Sequence, residues 1–152
     1  MEAMKIRLRR AIYEDAPEIH PTFFPHESWL DFHSRFFHWI SGQVENRIVY
    51  LLAEQDGVLV GQGQLHFYRR DRAEIANVCV AAAYQRQGIG TTIINHLFQE
   101  AQTRPCQKIE LCVAENNHAA QALYRQLGFV VVGSIVTLQD GLALVMAKQL
   151  AS

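Results

Sequence analysis

The sequence predicts an α/β (α+β) fold in which about four helices flank one mixed, largely antiparallel sheet of about seven strands. Runs of β-branched residues alternate with segments whose apolar residues recur at helical spacing. Two Asp-Gly pairs, at 56–57 and 140–141, each separate two such runs, which is typical of hairpin turns. With 152 residues, 49% of them hydrophobic, the chain can form one core, so we expect a single domain over residues 1–152.

The composition argues against two classes of partner. The chain has 14 Lys and Arg against 15 Asp and Glu, and so lacks the basic surface typical of a nucleic-acid binder. It contains no apolar stretch near the ~20 residues of a membrane span, and its first residues lack the apolar region of a signal peptide. We therefore expect a cytoplasmic protein that binds neither nucleic acid nor a membrane.

The cysteines and histidines do not suggest a metal site. Cys79, Cys106 and Cys112 have no C-x-x-C spacing, and we expect them to be reduced thiols in or near the core. The four histidines between residues 20 and 38 are separated by six, seven and five positions, which places no two neighbours on one helical face. The expected metal content is therefore none.

The first half of the chain predicts four strands and one or two helices. Residues 5–11 alternate apolar and basic side chains, as in a strand with one solvated face. Between residues 14 and 43, three prolines precede a stripe at helical spacing with Ser28 as its N-cap. This stripe consists of Trp29, Phe32, Phe36, Phe37 and Ile40. A hairpin follows around the first Asp-Gly pair, and residues 73–82 form the fourth strand.

The second half predicts two helices and three strands. A helix of about four turns ends before Pro105, with its apolar stripe at Ile89, Ile93, Leu97 and Ala101. Residues 108–115 alternate as a strand. The next helix begins at Asn117, which suits an N-cap, and ends at Gly128, which suits a left-handed C-cap. Two apolar runs around the second Asp-Gly pair predict a closing hairpin.

Gly88 and Gly90 stand where the fourth strand gives way to a helix. A glycine inside a helix costs roughly 1 kcal/mol relative to alanine, so these positions call for a function. The first N–H groups of a helix are unpaired and lie at its positive end, and a bare backbone lets an anion approach them. No lysine follows the glycines and Ile93 occupies the place of a third glycine, so neither the P-loop nor the dinucleotide fingerprint fits.

This turn resembles the cofactor-binding motif of the GNAT superfamily of N-acetyltransferases, Gln/Arg-x-x-Gly-x-Gly/Ala. The residues that carry it are Gln85, Arg86, Gln87, Gly88, Ile89 and Gly90. A second segment is similar to the family's pattern Asn-x-x-Ala-x-x-Leu-Tyr-x-x-x-Gly-Phe, at Asn117, Ala120, Leu123, Tyr124, Gly128 and Phe129. The order of elements also agrees. Two departures are Ala82, where many members have proline, and Arg86, where glycine is common.

The resemblance implies acetyl-CoA as cofactor and a sheet that splays apart between strands 4 and 5, where the pantetheine arm enters. The amides of residues 87–91 would hold the pyrophosphate, and the N–H of Val80 is expected to face the thioester oxygen. Asn117 would cap its helix and could also bond to pantetheine. The implied cofactor-binding residues are Val78, Val80, Gln85, Arg86, Gln87, Gly88, Ile89, Gly90, Thr91, Asn117 and Tyr124.

Acetyl transfer to an amine also needs a base, because an amine with a pKa near 10.4 is neutral only about once in 2,500 molecules at pH 7. Glu74 is the first candidate. It shares the parity of Val78 and Val80 on the fourth strand and stands where some members of the family carry a catalytic glutamate. Glu110 and Glu115, near the corresponding place on the fifth strand, leave the assignment open.

Tyr124 is placed by the motif to return a proton to the departing thiolate. A phenol is a weaker acid than a thiol, so this role depends on position. Both catalytic candidates also have structural interpretations. Tyr124 could only pack along its helix, and Glu74 could be a solvated residue paired with Arg70 or Arg72.

Three functional hypotheses follow from the resemblance. The first is an N-acetyltransferase that moves an acetyl group from acetyl-CoA to a primary amine of a small molecule by direct attack in a ternary complex. The second is a peptide or protein N-terminal acetyltransferase, similar to the ribosomal-protein alanine acetyltransferases, and the third is a non-catalytic acyl-CoA-binding module. Residues 21–43 and 134–142 should determine the acceptor. The apolar run at 129–136 could pair with a second chain, which would give a homodimer.

Overall fold

The computed structural model describes residues 5–138 and 141–150, which contain seven strands and four α-helices. In chain order these are β1 (Ile6–Arg10), α1 (Ala16–Phe23), α2 (Trp29–Val44), β2 (Ile48–Gln55), β3 (Val58–His66), β4 (Arg72–Val80), α3 (Ile89–Gln102), β5 (Lys108–Ala114), α4 (His118–Gln126), β6 (Val130–Thr137) and β7 (Gly141–Gln149). The region with the three prolines thus forms two helices, which decides between the alternatives left open by the sequence.

The strands form one sheet in the order β1-β2-β3-β4-β5-β7-β6. Every neighbouring pair is antiparallel except β4 and β5, whose parallel connection runs through α3. The pairing of β4 with β5 extends from Arg72 and Lys108 to Ile75 and Leu111, and the two strands separate beyond that point. The predicted fold, including the splay between strands 4 and 5, is confirmed.

Two apolar layers hold the helices to the sheet. On one face, α3 and α4 pack over the strands with a core that includes Ile93, Leu97 and Phe129. On the other face, α1 and α2 contribute Ile19, Phe32 and Phe36, among other buried residues. Full burial of each such side chain stabilises the fold by about 1.5–3 kcal/mol, so both layers anchor the sheet.

The local signals in the sequence correspond to the ends of the elements. The Ser28 hydroxyl accepts a hydrogen bond from the Asp31 N–H at 3.1 Å, which confirms the predicted cap of α2. Asp56 and Gly57 have φ values of 53° and 77°, as a tight hairpin turn requires. Asp140 lies outside the described residues, but β6 and β7, the strands that its turn was expected to join, pair antiparallel.

A β-bulge interrupts β4 and overturns one expectation. Gln64 pairs with Ala76 but Gln62 pairs with Cys79, so β4 carries one extra residue at this point. The extra residue reverses the alternation of side chains along the strand. Val78 packs against the α3 side of the sheet, whereas Glu74, which precedes the bulge, points to the α1 and α2 side. The expected common parity of Glu74 with Val78 and Val80 is therefore wrong.

The cysteines are less buried than expected. Cys79 and Cys106 are half-buried, and Cys112 is exposed on β5, so its expected place in or near the core is wrong. In the described part of the chain, His, Cys, Asp and Glu side chains form no group of three or more suited to a metal ion. No helix among these residues has the length and apolar character needed to cross a membrane.

Candidate active site

A cleft opens where β4 and β5 separate. Its outer part, about 370 Å³, lies between β4, the start of α3 and α4, and its inner part, about 240 Å³, lies between the two separated strands. Val78, Ala120 and Tyr124 border both parts, so the two parts adjoin. The cleft can therefore take an elongated ligand that enters at the start of α3 and ends inside the sheet.

Gly88 forms the outer end of the cleft. Its φ is 82°, in the left-handed region, and its carbonyl accepts hydrogen bonds from the Thr92 N–H at 3.0 Å and the Thr92 hydroxyl at 2.9 Å. A β-carbon at Gly88 would meet nothing within 4 Å, and one at Gly90 would lie 3.7 Å from Val80 Cγ2. Packing within the protein thus leaves the space beside both glycines open, and the N–H groups of the first turn of α3 lack helical acceptors.

Arg86 and Gln85 complete this turn. Arg86 is exposed and has a φ of 63°, a conformation that costs a non-glycine residue about 1–2 kcal/mol. Glycine would adopt this backbone without that cost, while the arginine here adds a positive charge beside the turn. Gln85 donates a hydrogen bond from Nε2 to the Val80 carbonyl at 3.1 Å, which ties the turn to the end of β4.

The edge of β4 contributes backbone groups to the cleft. The Ala81 N–H donates to the Val60 carbonyl at 2.8 Å, toward β3. Because the peptide groups of an extended strand alternate in direction, those of Val80 and Val78 point away from β3 and into the opening. The Val80 carbonyl accepts the Gln85 bond, and the pairing of β4 with β5 ends before either residue is reached. The cleft thus has a strand edge along one wall.

Tyr124 lies at the junction of the two parts of the cleft. Its ring packs edge-on against Phe129, with centroids 5.9 Å apart, and its hydroxyl makes no hydrogen bond with the residues that the structure describes. Burial raises the pKa of Tyr124 above its usual value, so the phenol keeps its proton at neutral pH. The side chain is therefore available as a proton donor.

Two side chains at the start of α4 hold Tyr124 in place. Asn117 accepts a hydrogen bond from the Ala120 N–H at 3.2 Å, as its predicted capping role requires. Gln121, which is 6% exposed, donates to the Ala114 carbonyl at 3.0 Å and to the Glu115 carbonyl at 2.7 Å. Gln121 thus joins α4 to the end of β5, a contact that the sequence analysis did not predict.

Glu74 lies on the other face of the sheet. It lines a cavity of about 320 Å³ with Glu110 and Arg72, and it borders neither part of the cleft that contains Tyr124. Arg72 pairs with Glu110 at 3.0 Å and with Asp71 at 3.3 Å, so Glu74 makes no ion pair with the described residues. Although Glu74 has an exposed side chain, partial desolvation raises its pKa and the charge of Glu110 adds to the shift.

Asn77 was missed by the sequence analysis and links the two faces. It borders the inner part of the cleft and also a cavity of about 310 Å³ at the turn between α1 and α2. That cavity is lined by Phe23, Phe24, Pro25, His26, Glu27, Arg35 and Asn77. Phe32 and Phe36 of the predicted stripe, and Trp39 beside them, are buried in the core, whereas Trp29 and Phe37 are exposed. The signal in the sequence that could have indicated the bulge is the polar Asn77 between Ile75 and Val78.

Residues 9–129 of the chain match the profile of the Acetyltransferase (GNAT) family. A stretch of 59 residues is 42% identical to the [ribosomal protein bS18]-alanine N-acetyltransferase of Escherichia coli strain K12, and it covers 39% of this chain and 40% of that protein. The sequence match thus spans less than half the length of this curated relative.

Solved structures agree over a larger part of the chain. The ribosomal-protein-alanine N-acetyltransferase from Brucella melitensis superposes with a TM-score of 0.81 at 24% identity, covering 95% of this chain and 99% of that one. The PaiA N-acetyltransferase from Thermoplasma acidophilum, solved in complex with coenzyme A, has a TM-score of 0.77 at 20% identity, covering 97% of this chain and 100% of that one. At these identities the two structures establish a common fold.

Proposed function

Because this chain belongs to the GNAT family of acetyltransferases, we propose that it moves an acetyl group from acetyl-CoA to a primary amine by direct attack in a ternary complex. The observation that carries the proposal is the cleft with its two adjoining parts. It joins a turn suited to an anion, an unpaired strand edge and a protonated phenol, in the order in which the parts of acetyl-CoA would meet them. We further propose that residues 1–152 act as a single acetyltransferase domain, in the cytoplasm where acetyl-CoA is used.

The turn and the strand edge suit the pyrophosphate and the pantetheine arm of acetyl-CoA. The N–H groups of residues 87–91 would hold the pyrophosphate, favoured by the positive end of α3 and the charge of Arg86. The β4 edge would bond to the amides of pantetheine, as an added strand does. The proposed cofactor-binding residues are Val78, Val80, Gln85, Arg86, Gln87, Gly88, Ile89, Gly90, Thr91, Asn117 and Tyr124.

We assign the backbone donor for the thioester oxygen to Val78. The sequence favoured Val80, but Val80 borders only the outer part of the cleft. Val78 borders both parts, beside Tyr124 and directly after the bulge, where the reactive end of a ligand entering from α3 would lie. Removal of one such donor from an enzyme lowers the rate by ~10²–10³.

Tyr124 and Glu74 would handle the two protons of the reaction. The thiolate that leaves must be protonated, and the Tyr124 phenol, whose pKa burial raises further above neutral pH, carries a proton at that position. The attacking amine must lose a proton, and Glu74 is a carboxylate without an ion pair among the described residues, two positions from the splay on the acceptor side. Because Glu74 does not border the cleft, we propose that it accepts the proton through water.

The acceptor would enter from the face of α1 and α2. The cavity of about 310 Å³ beside Asn77 suits a primary amine of a small molecule, which is our first candidate. A peptide N-terminus is the second, favoured by the likeness of 59 residues to an enzyme named for alanine of a ribosomal protein.

The test is release of the CoA thiol from acetyl-CoA with spermidine, or with a peptide that begins with alanine, as the amine. We expect release with one of them, and a fall of at least ~10²-fold in Tyr124→Phe with unchanged CoA affinity. The control is Tyr13→Phe, which removes a hydroxyl bonded to His33 at 2.9 Å, outside the cleft. No acceptor-dependent release, or equal rates in the two variants, would contradict the proposal.

We also propose that the protein forms a homodimer through β6. This strand lies at one edge of the sheet, and every residue from 130 to 136 is exposed. It contains neither charge nor proline, the features that keep an exposed edge from pairing. A second copy running antiparallel would satisfy its backbone and cover its valines.

A further inference from the structure

Two glutamines on β3 are buried without a role in the chemistry described above. Gln62 is 1% exposed and Gln64 is 0% exposed, and both face the α1 and α2 side of the sheet. Burial of an amide is unfavourable unless hydrogen bonds replace those to water, so the partners of these side chains indicate what they stabilise.

Both glutamines bind the same residue, Asn77. The Gln64 Oε1 accepts a hydrogen bond from Asn77 Nδ2 at 3.0 Å, and the Gln62 Nε2 donates one to the Asn77 carbonyl at 3.1 Å. Asn77 is the bulge residue of β4, with a φ of 54° in the left-handed region. Asparagine tolerates this conformation better than most residues, yet a single residue held there within a strand needs outside support.

Further bonds fix the orientation of each glutamine amide. The Tyr50 hydroxyl donates to the Gln62 Oε1 at 2.5 Å, which leaves the Gln62 Nε2 to face Asn77. His66 Nε2 lies 2.7 Å from the Gln64 Oε1, and His66 Nδ1 lies 2.6 Å from the Tyr68 hydroxyl. Burial, with a smaller effect of His38, lowers the pKa of His66 to about 4, so the neutral ring donates to Gln64 and accepts from Tyr68.

The bulge decides which way the next peptide group points. One extra residue in a strand reverses the face of the sheet to which each following side chain points. It also reverses the edge of the strand from which each following N–H points. If Asn77 left the left-handed conformation and β4 paired regularly, the N–H of Val78 would turn from the opening toward β3.

We infer that Gln62 and Gln64 are positioning residues that hold Asn77 in its left-handed conformation and so aim the N–H of Val78 at the acetyl group. This inference rests on the proposed function, because it takes Val78 as the donor to the thioester oxygen. It adds that the donor depends on side chains from β3 that line neither part of the cleft.

The test compares Gln64→Met with Gln43→Met. Gln43 also bonds to backbone on this side of the sheet, to the Ala11 carbonyl and the Tyr50 N–H at 2.8 Å each, but it makes no hydrogen bond to β4. The probes are CoA and acetyl-CoA, and the readout is the difference in the Val78 amide proton shift between the two complexes by NMR. We expect this difference in the wild type and in Gln43→Met, and its loss in Gln64→Met with unchanged CoA affinity.

A second pair of variants tests the backbone of the exposed Asn77 without removing a buried group. Glycine adopts a positive φ freely, so Asn77→Gly should keep a larger fraction of the rate of thiol release than Asn77→Ala, by at least about threefold. Both variants should bind CoA as the wild type does.

The outcomes separate the inference from the proposed function. A wild type that binds no acetyl-CoA contradicts the proposed function itself. A wild type that binds it, with the Val78 shift difference retained in Gln64→Met or with Asn77→Ala as active as Asn77→Gly, overturns the positioning role alone.

Discussion

Tyr124 and Glu74 both have raised pKa values, and burial is the main cause for each. The consequences differ because one group acts as an acid and the other as a base. A raised pKa keeps the Tyr124 phenol protonated. For Glu74, the raised pKa lies closer to neutral pH, so the carboxyl loses its proton less readily. We therefore expect the proton chemistry of the acceptor side to limit the rate at low pH.

The Glu74→Gln variant tests this expectation. Only the carboxylate form can accept a proton, so the wild-type rate should fall as pH decreases through the raised pKa of Glu74. The variant should be slower by roughly 10²-fold at neutral pH and should show only the pH dependence that comes from protonation of the amine itself. Steady-state rates from pH 5 to 9 provide the measurement.

Glu115→Gln is the matched control, because Glu115 is an exposed carboxylate near the end of β5 and was an alternative base in the sequence. It should keep the wild-type profile. A Glu74→Gln variant with the same pH profile as the wild type, or a Glu115→Gln variant with the profile expected of Glu74→Gln, would assign the base elsewhere.

At the scale of residues, the sequence predicted what depends on neighbours in the chain. The cap at Asn117 follows from the side chain and the N–H three positions on. The left-handed backbone of Asn77 was not predicted, since it is held by Gln62 and Gln64 from another strand. The pairing of Arg72 with Glu110 likewise depends on the sheet order, which the residue pattern alone does not contain.

At the scale of elements, α4 connects the fold to the cleft, since its first turn carries the cap and its next turn carries Tyr124. Loss of the cap in Asn117→Ala should cost about 1 kcal/mol of unfolding free energy. It should also weaken acetyl-CoA binding, because the Asn117 Oδ1 is used for capping and its amide nitrogen is left to bond to pantetheine. Denaturant unfolding and calorimetric titration measure the two effects.

Ser28→Ala separates the loss of stability from the loss of acetyl-CoA binding, because Ser28 caps α2 in the same way and lines neither part of the cleft. It should lose a similar unfolding free energy and bind acetyl-CoA as tightly as the wild type. Equal affinities in the two variants would leave Asn117 with a structural role only.

The strand and helix patterns predicted most elements, because alternation and helical spacing record which face is buried. The bulge in β4 broke the alternation, and the parity argument for Glu74 failed with it. The splay between β4 and β5 came from the family resemblance. Periodicity could not supply it, because both strands, Asn77 apart, continue as apolar runs beyond the point where their pairing ends.

At the scale of the whole molecule, the two ends of the sheet differ. β1 carries Arg7, Arg9 and Arg10 at one edge, whereas β6 at the other is uncharged and exposed. Light scattering after size exclusion should therefore give the wild type a mass of twice 17.3 kDa. Val132→Lys, at a side chain that is 57% exposed on β6, should reduce it to a single chain.

Val44→Lys provides the control, because Val44 is 83% exposed at the end of α2, on another surface. It should leave the mass unchanged. A wild type with the mass of one chain at tens of micromolar would contradict the dimer without affecting the proposed activity.

The acceptor was the part of the function that the sequence predicted least. The motifs lie on the donor side, from Gln85 to Phe129, where the backbone must meet a ligand common to the whole family. The side from which we propose that the acceptor enters is built from α1, α2 and the bulge, and its cavity forms only when these distant segments pack together. No short pattern could record it.

Calorimetry on Gly88→Leu and Gly57→Leu tests most directly whether the cleft binds acetyl-CoA through the turn at Gly88. Both glycines have a positive φ, 82° and 77°, and both have open space around a β-carbon, so each substitution should cost a similar 1–2 kcal/mol or so in strain. Only Gly88 lies in the cleft.

We expect the wild type and Gly57→Leu to bind acetyl-CoA with equal affinity and Gly88→Leu to bind it at least about tenfold more weakly. Equal binding by all three proteins, or no binding by the wild type at millimolar acetyl-CoA, would contradict the account.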